Sequence, residues 1–544
     1  MAGFDNGTPL GVDMTSDGFN PSVTRRRLSA TMITQPMPTA SADVAAGPPG
    51  SAGRRTSVLT EILARSSTSP GFIEKEIKPT LIIAMLHLKD PHPDIDRLRR
   101  VLGERILLIP RFCSVFCLRD GKVFCDAVPP DDVDLAHHIQ TMDGEGTFGS
   151  SGISALISDA SQEWWDASLP LWKFTLVTNT ADGGSLLFCK IDHAIGDGVA
   201  MVRVLESLLD DRPDGMSNFQ VRRPTPPRIR WSTKLIWTLC GIYDGTLGWL
   251  ITRGDPDNHL KIKSDKKIGD AGSKTFTLTR KRSLAEIKEM ASRLSGASVN
   301  DVVLASVSIG IRRYLEKTKD PVLAQIDRGG TYLQAMSLVN LRGVGDKDKE
   351  KGALNLGNDF AALNFPLPLN FRDEIDAVFK IKHMMDYYKV SPAVYLMKVL
   401  GYRLLALLPE TALIQASLEN IRKPSCMISN VMGPPFECKL AGYALVEINF
   451  LASSVIGLYV GLISYNGDVR ISFATDKLAS IDCNLFQECL EGAMDDLEGK
   501  LLAKGSPMIE RPEYVPTAAR LLEYALPVIF SLFVGWLYSV LFFT

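Results

Sequence analysis

Pro79-Thr80-Leu81-Ile82-Ile83-Ala84-Met85-Leu86-His87-Leu88 runs without a charge and stops at Asp90-Pro91. A continuous apolar run of this length, cut off by a turn signal, reads as a buried strand and demands covering layers. Helical spacing follows at Ile95, Leu98, Val101 and Leu102. A second apolar run, Ser185–Ile191, enters a Gly-containing turn and then an amphipathic helix at Val199–Leu209. These elements make residues 78–211 a first folded block. A second block, 273–502, opens with a strand at Thr275–Leu278. Ser283-Leu284-Ala285-Glu286 then has capping-box spacing, and Leu284, Ile287, Ala291 and Leu294 form the apolar stripe of the helix behind it. Strand-like runs recur at Leu333–Val339, Ala361–Phe365, Cys426–Ser429, Leu458–Ser464 and Val469–Phe473.

The flanks differ in kind. Residues 1–72 are rich in Ser, Thr, Pro and Gly and carry no sustained apolar periodicity, so a disordered tail is expected there. It holds two basic runs, Arg25-Arg26-Arg27-Leu28-Ser29 and Arg54-Arg55-Thr56-Ser57. They read as solvated charge or as kinase sites at Ser29 and Ser57. The opening residues lack the basic and apolar regions of a secretory leader. Residues 212–272 form a connector in which Leu235–Thr252 is apolar and aromatic except for Asp244, which suits an interfacial or buried segment better than a span. After a linker at 503–520, Tyr524–Thr544 contains no charge at all. A bilayer core of about 30 Å at about 1.5 Å per residue needs about 20 residues, so 521–544 is expected to be a transmembrane tail anchor.

Charge and cysteine usage exclude other classes. Lys and Arg total 60 against 62 Asp and Glu, which leaves no basic field for nucleic acid. The nine cysteines form no CxxC pair and the seven histidines are scattered, so neither a disulfide scaffold nor a zinc site is legible. The chemistry concentrates in Ile191-Asp192-His193-Ala194-Ile195-Gly196-Asp197-Gly198, an H-x-x-x-D-G pattern between a buried strand and a helix. A histidine ending such a strand can present one ring nitrogen into a cleft as a base. Asp197 would fix the turn and Gly198 would relieve crowding in it. A competing cluster, His137-His138-Ile139-Gln140-Thr141-Met142-Asp143-Gly144, has its aspartate one residue too far and no apolar strand before it.

The pattern resembles the H-H-x-x-x-D-G signature of the bifunctional wax ester synthase/diacylglycerol acyltransferase family. Asp166-Ala167-Ser168-Leu169-Pro170-Leu171-Trp172 is similar to its D-x-x-x-P-L-W segment. Asn300-Asp301-Val302-Val303-Leu304-Ala305 resembles its N-D-V-V-L-A helix, and Leu338-Val339-Asn340-Leu341-Arg342 its P-V-S-L-R. Gly357-Asn358, Ser429-Asn430-Val431-Met432-Gly433-Pro434 and Ser464-Tyr465-Asn466-Gly467 resemble its G-N, S-N-V-P-G-P and S-Y-N-G segments. Two departures stand out: Asp192 replaces the first signature histidine, adding a carboxylate beside the base, and Met432 replaces a proline.

The resemblance implies an α/β fold with mixed sheets, the two-domain fold of CoA-dependent acyltransferases. It also implies acyl-CoA as co-substrate, with no bound cofactor and no metal. The acceptor would be a long-chain alcohol, giving a wax ester, or diacylglycerol, giving triacylglycerol. His193 would be the general base. Asn300 would be the first oxyanion donor, with Ser429 and Asn430 behind it, and Pro170, Leu171 and Trp172 would line the substrate site. With the tail, this places the enzyme on the endoplasmic reticulum membrane or a lipid droplet, facing the cytosol. A relative acting on soluble alcohols or amines, or a non-catalytic lipid-binding relative, is the alternative.

Overall fold

The computed structural model describes residues 80–119, 122–210, 229–248, 252–263, 272–340, 356, 358, 360–397, 419–453, 456–503 and 507–512, with 54–55 and 64. Ser29, Ser57, the anchor at 521–544 and most of the expected tail lie outside them, but the tail is not disordered throughout: Arg54–Arg55 pairs antiparallel with Phe124 and Cys125, and Ala64 is buried in the first core. Among the described residues no helix is long and apolar enough to cross a membrane.

The first half supplies β1 (Leu81–Leu88), α1 (Ile95–Ile106), a hairpin of β2 (Ser114–Arg119) and β3 (Lys122–Ala127), β4 (Ile139–Phe148), α2 (Ser150–Gln162), β5 (Trp172–Thr180), β6 (Ser185–Asp192), α3 (Gly198–Leu208) and α4 (Trp231–Tyr243). The second half supplies β7 (Lys274–Leu278), α5 (Leu284–Ser292), α6 (Val299–Lys317), β8 (Leu333–Asn340), β9 (Phe360–Leu367) and α7 (Glu374–Val390). It continues with β10 (Cys426–Met432), β11 (Tyr443–Ser453), β12 (Leu458–Tyr465), β13 (Asp468–Asp476) and α8 (Cys483–Leu501). The expected strands and the capped helix α5 are present, with Ser283 accepting from the Glu286 amide.

One mixed sheet runs β11-β1-β6-β5-β4, and the other β9-β8-β10-β12-β13-β7. A division into consecutive blocks misses one strand. β11, from the second half, pairs antiparallel with β1 from Leu81↔Ser453 to Leu88↔Leu445. Its sequence, YALVEINFLAS, is interrupted by Glu447 and Asn449, which hides it from an apolar-run criterion. The outward faces of the two sheets are covered by helices, α1 and α3 on the first and α6, α7 and α8 on the second. Between the sheets lies an apolar seam, where Leu81, Ile83 and Met85 of β1 and Phe188 of β6 meet Met336, Met427 and Tyr459 from the second sheet.

The connector is more integrated than its composition suggests. Its last part, 252–263, packs on the second sheet: the buried Asp255 accepts from the Gln334 and Ser425 amides at 2.8 and 2.9 Å. Just beyond it, Lys274 Nζ and Asp476 form a buried pair at 2.9 Å, and the aspartate also accepts from the Gly272 and Leu478 amides. Asp476→Ala would leave the buried ammonium without its counter-charge, though Ile456 O still accepts from it at 3.1 Å, so it should cost about 3–5 kcal/mol. Lys274→Met should cost less, because the carboxylate keeps its two backbone donors. Urea unfolding of both variants checks the order; equal losses would contradict it.

Candidate active site

The turn between β6 and α3 is clamped from three sides. The His193 amide donates to Thr80 O at 2.9 Å, the Asp192 amide to Leu171 O at 2.9 Å, and Arg111 Nη1 to Ala194 O at 3.0 Å. α3 starts from Asp197, whose buried carboxylate accepts from the Ala200 amide at 3.0 Å, an N-cap satisfying an otherwise orphaned donor. Asp197 is therefore a turn-fixing residue, as its spacing suggested. Gly198 is not relieving crowding: a Cβ there would meet nothing within 4 Å, and its φ is not positive. The tight position is Gly196, where a Cβ would lie 3.0 Å from both Ala200 and Met201.

His193 is 3% exposed, and its ring lies across from residues just before and within β9 of the other sheet. Its Nδ1 is 3.2 Å from Asn358 Oδ1, while Asn358 Nδ2 donates to the His193 carbonyl at 2.9 Å. The second bond sets the amide orientation, because a flipped carboxamide would face two oxygens together. Oδ1 can only accept, so Nδ1 carries the proton and Nε2 keeps its lone pair. The Phe360 ring sits 5.5 Å from the imidazole, tilted by 61°. Burial holds the imidazole below the ordinary histidine range, opposed by the Asp197 charge, the His193 backbone and the Asn358 contact. The group is thus a neutral base with one nitrogen committed and one available. Asn358 had appeared in the sequence only as half of a G-N pair with no role; nothing local links it to a histidine 165 residues away.

Asp192 does not act on the base. Its Oδ1 accepts from the Ala194 amide at 2.8 Å, while burial lowers the pKa of Lys190 against the opposing charges of Glu163 first and Asp192 last. The oxyanion candidates separate in the same way. Asn430 Nδ2 donates to Asn300 Oδ1 at 2.7 Å, which joins β10 to the start of α6. Ser429, the preceding residue, points to the other face, the one on which Met427 enters the inter-sheet seam. None of these three side chains contacts the His193 ring among the described contacts.

The Pro170-Leu171-Trp172 segment is a correction. Leu171 and Trp172 are fully buried, and Trp172 Nε1 donates to Phe112 O at 2.9 Å. The segment supports the histidine turn from beneath through its backbone, with its side chains in the first sheet's outer core. That core also absorbs the competing cluster, since His138 stacks on Trp172 at 4.3 Å and its Nδ1 bonds Trp172 O at 2.7 Å.

Two family models match this chain: the wax ester synthase/diacylglycerol acyltransferase catalytic domain over residues 73–250, and the WS/DGAT C-terminal domain over 356–498. Together they cover more than half of it. The chain belongs to the wax ester synthase/diacylglycerol acyltransferase family. It is accordingly an acyltransferase. Wax ester synthase/diacylglycerol acyltransferase 5 of Arabidopsis thaliana is 25% identical over 460 residues, covering 75% of this chain and 89% of that protein. A Mycobacterium tuberculosis protein provisionally named a diacylglycerol O-acyltransferase is 24% identical over 448 residues, 76% of this chain and 87% of that one. The solved wax ester synthase/diacylglycerol acyltransferase from Marinobacter aquaeolei VT8 superposes with a TM-score of 0.53 at 20% identity, over 78% of this chain and 96% of that one. The first condensation domain of the calcium-dependent antibiotic synthetase also reaches 0.53, at 14% identity over 84% and 98%. Both likenesses are of fold.

Two outcomes test the site. His193→Ala should lower acyl transfer by about two to four orders of magnitude, the usual worth of a general base. His138→Ala should lower the melting temperature while the folded fraction keeps its turnover. Asn358→Asp would put an anion on Nδ1 and favour the imidazolium. With the neutral imidazole as the working form, activity should fall as pH drops through its pKa. Wild type should hold activity to below about pH 6.5, the ordinary histidine value, and Asn358→Asp should move that acid limb upward. A pH profile of kcat/KM with an unmoved limb would remove Asn358 from the site.

Proposed function

We propose that the enzyme transfers a fatty acyl group from acyl-CoA to the hydroxyl of a long-chain alcohol, of diacylglycerol, or of both. The observation that carries this reading is the His193–Asn358 pair, a buried neutral imidazole whose Nε2 is the nitrogen left to accept a proton. His193 Nε2 takes the hydroxyl proton as the oxygen attacks the thioester carbonyl. The tetrahedral oxyanion then collapses, the C–S bond breaks, and the imidazolium returns the proton to the CoA thiolate. Donors to the oxyanion come from Ser429 on the seam face or from the Asn300–Asn430 pair. Asp197 and Asn358 keep the ring fixed while it cycles.

Two features favour lipid acceptors over soluble ones. The seam beside β1 and β6 is apolar, with Met85, Met336 and Met427 in it, and thioether side chains repack readily around an acyl chain. The 521–544 tail, uncharged from Tyr524 onwards, would hold the enzyme on the cytosolic side of the endoplasmic reticulum or on lipid droplets, next to such acceptors. Purified enzyme with labelled palmitoyl-CoA should yield a labelled wax ester with hexadecanol, or triacylglycerol with diacylglycerol, resolved by chromatography. Label appearing only with short soluble alcohols or amines would overturn the lipid reading. Removal of 521–544 should shift the protein towards the soluble fraction without abolishing activity in detergent.

A further inference from the structure

The helix α4 has two apolar faces, and only one is used by the fold. On the inner face Trp237, Cys240 and Gly241 are buried. The Trp237 ring meets His383 at 5.2 Å and Tyr387 at 5.8 Å, both on α7. A Cβ on Gly241 would come within 2.7 Å of Ser391, so the helix is pressed close to the chain just beyond α7. Asp244, at its end, is drawn inward by a hydrogen bond from the Tyr387 hydroxyl. The outer face carries Trp231, 80% exposed, Leu235 at 53%, Leu239 at 39% and Ile242 at 36%. Steps of four, four and three residues place these on one stripe.

The sequence leading into and along the helix carries charge of one sign. From Gly215 to Tyr243 the chain holds Arg222, Arg223, Arg228, Arg230 and Lys234 and no acidic residue. Arg230 and Lys234 stand exposed at the start of the helix, beside Trp231. Tyr395, 65% exposed, lies on the turn 393–396 that abuts the other end, where Gly245 approaches Ala393 and Leu396. Thirteen residues span only about 20 Å, less than a hydrocarbon core, so this helix cannot cross a bilayer but can lie along one. An apolar stripe with an aromatic at its start and a cationic rim has the chemistry of an anionic lipid surface.

We propose that the outer face of α4 is a membrane-docking surface, seating Trp231, Leu235, Leu239 and Ile242 in the interfacial layer of a bilayer that contains anionic lipid. The inner-face contacts with α7 then tie the fold to the surface that holds its acceptor. The proposal rests on the lipid-acceptor reading for its purpose, but its test does not.

The test uses the full chain with vesicles of phosphatidylcholine, alone or with phosphatidylserine, prepared with ordinary or brominated acyl chains. Tryptophan fluorescence is compared between wild type and Trp231→Phe, so that signals from the other six tryptophans, including Trp536 in the tail, cancel. The expected result is a Trp231 component quenched by brominated lipid, most strongly with phosphatidylserine. Arg230→Gln and Lys234→Gln should each weaken it about fivefold in lipid concentration. Leu235→Asp with Leu239→Asp should abolish that component and depress transfer to vesicle-borne acceptor about tenfold or more. Transfer to detergent-dispersed acceptor should be unchanged. Equal quenching of wild type and Trp231→Phe overturns the proposal. So does a dimer in sedimentation that Trp231→Phe dissociates, which would make a second copy the occupant. Should no lipid acceptor be turned over in either format, the lipid-acceptor reading fails while the fluorescence comparison still decides docking.

Discussion

Everything chemical here depends on one reciprocal pair of hydrogen bonds, between an imidazole at the end of one sheet and a carboxamide at the entrance to the other. Asn358 donates to the carbonyl of the residue whose ring donates to it. Neither bond would be worth much alone, about 1 kcal/mol net. Together they convert an ambiguous histidine into a base of defined tautomer. Burial supplies the other half of the effect by disfavouring the imidazolium, so the resting group is ready to accept a proton.

That pair requires the two sheets to keep their spacing, and β11 explains how they do. A strand from the second half of the chain completes the first sheet against β1, so the first sheet is not assembled from its own stretch of sequence. Side chains reinforce the crossing. Tyr465 Oη on β12 donates to Leu445 O on β11 at 2.8 Å and accepts from the Cys438 amide at 2.9 Å. Arg470 on β13 closes on both oxygens of Glu447 on β11 at 2.6 and 2.7 Å. Polar ties at the margin and an apolar, methionine-containing seam within leave an inter-sheet layer that is held at its edges and soft along its middle.

What could be read from the sequence follows from which signals are local. β1, β6, α3 and the Ser283 cap each declare themselves within about ten residues, through apolar runs, alternation or capping chemistry. β11 did not, because Glu447 on it answers to Arg470 and Lys281 on other elements, Asn449 donates to that same Glu447, and the strand's pairing with β1 is set by tertiary context. The site divides along the same line. His193 and Asp197 sit in one short turn and were legible; Asn358 is brought to them only by the fold. Trp172 misled for a related reason. A proline-leucine-tryptophan segment looks equally suited to a substrate wall and to a core, and only the bond from its indole to Phe112 O distinguishes the two.

The departure at Asp192 can be judged on the same geometry. If the residue before the base worked by touching it, a carboxylate there would pull the imidazole towards its charged form and spoil it as a base. The side chain instead closes the turn by accepting from the Ala194 amide, a bond any short acceptor at that position can make. Lys190, two residues back on the same strand face, is held by Glu163 at 2.6 Å and lies 4.2 Å over the Trp165 ring. The first signature position thus serves the shape of the turn, which leaves the proposed proton chemistry to His193.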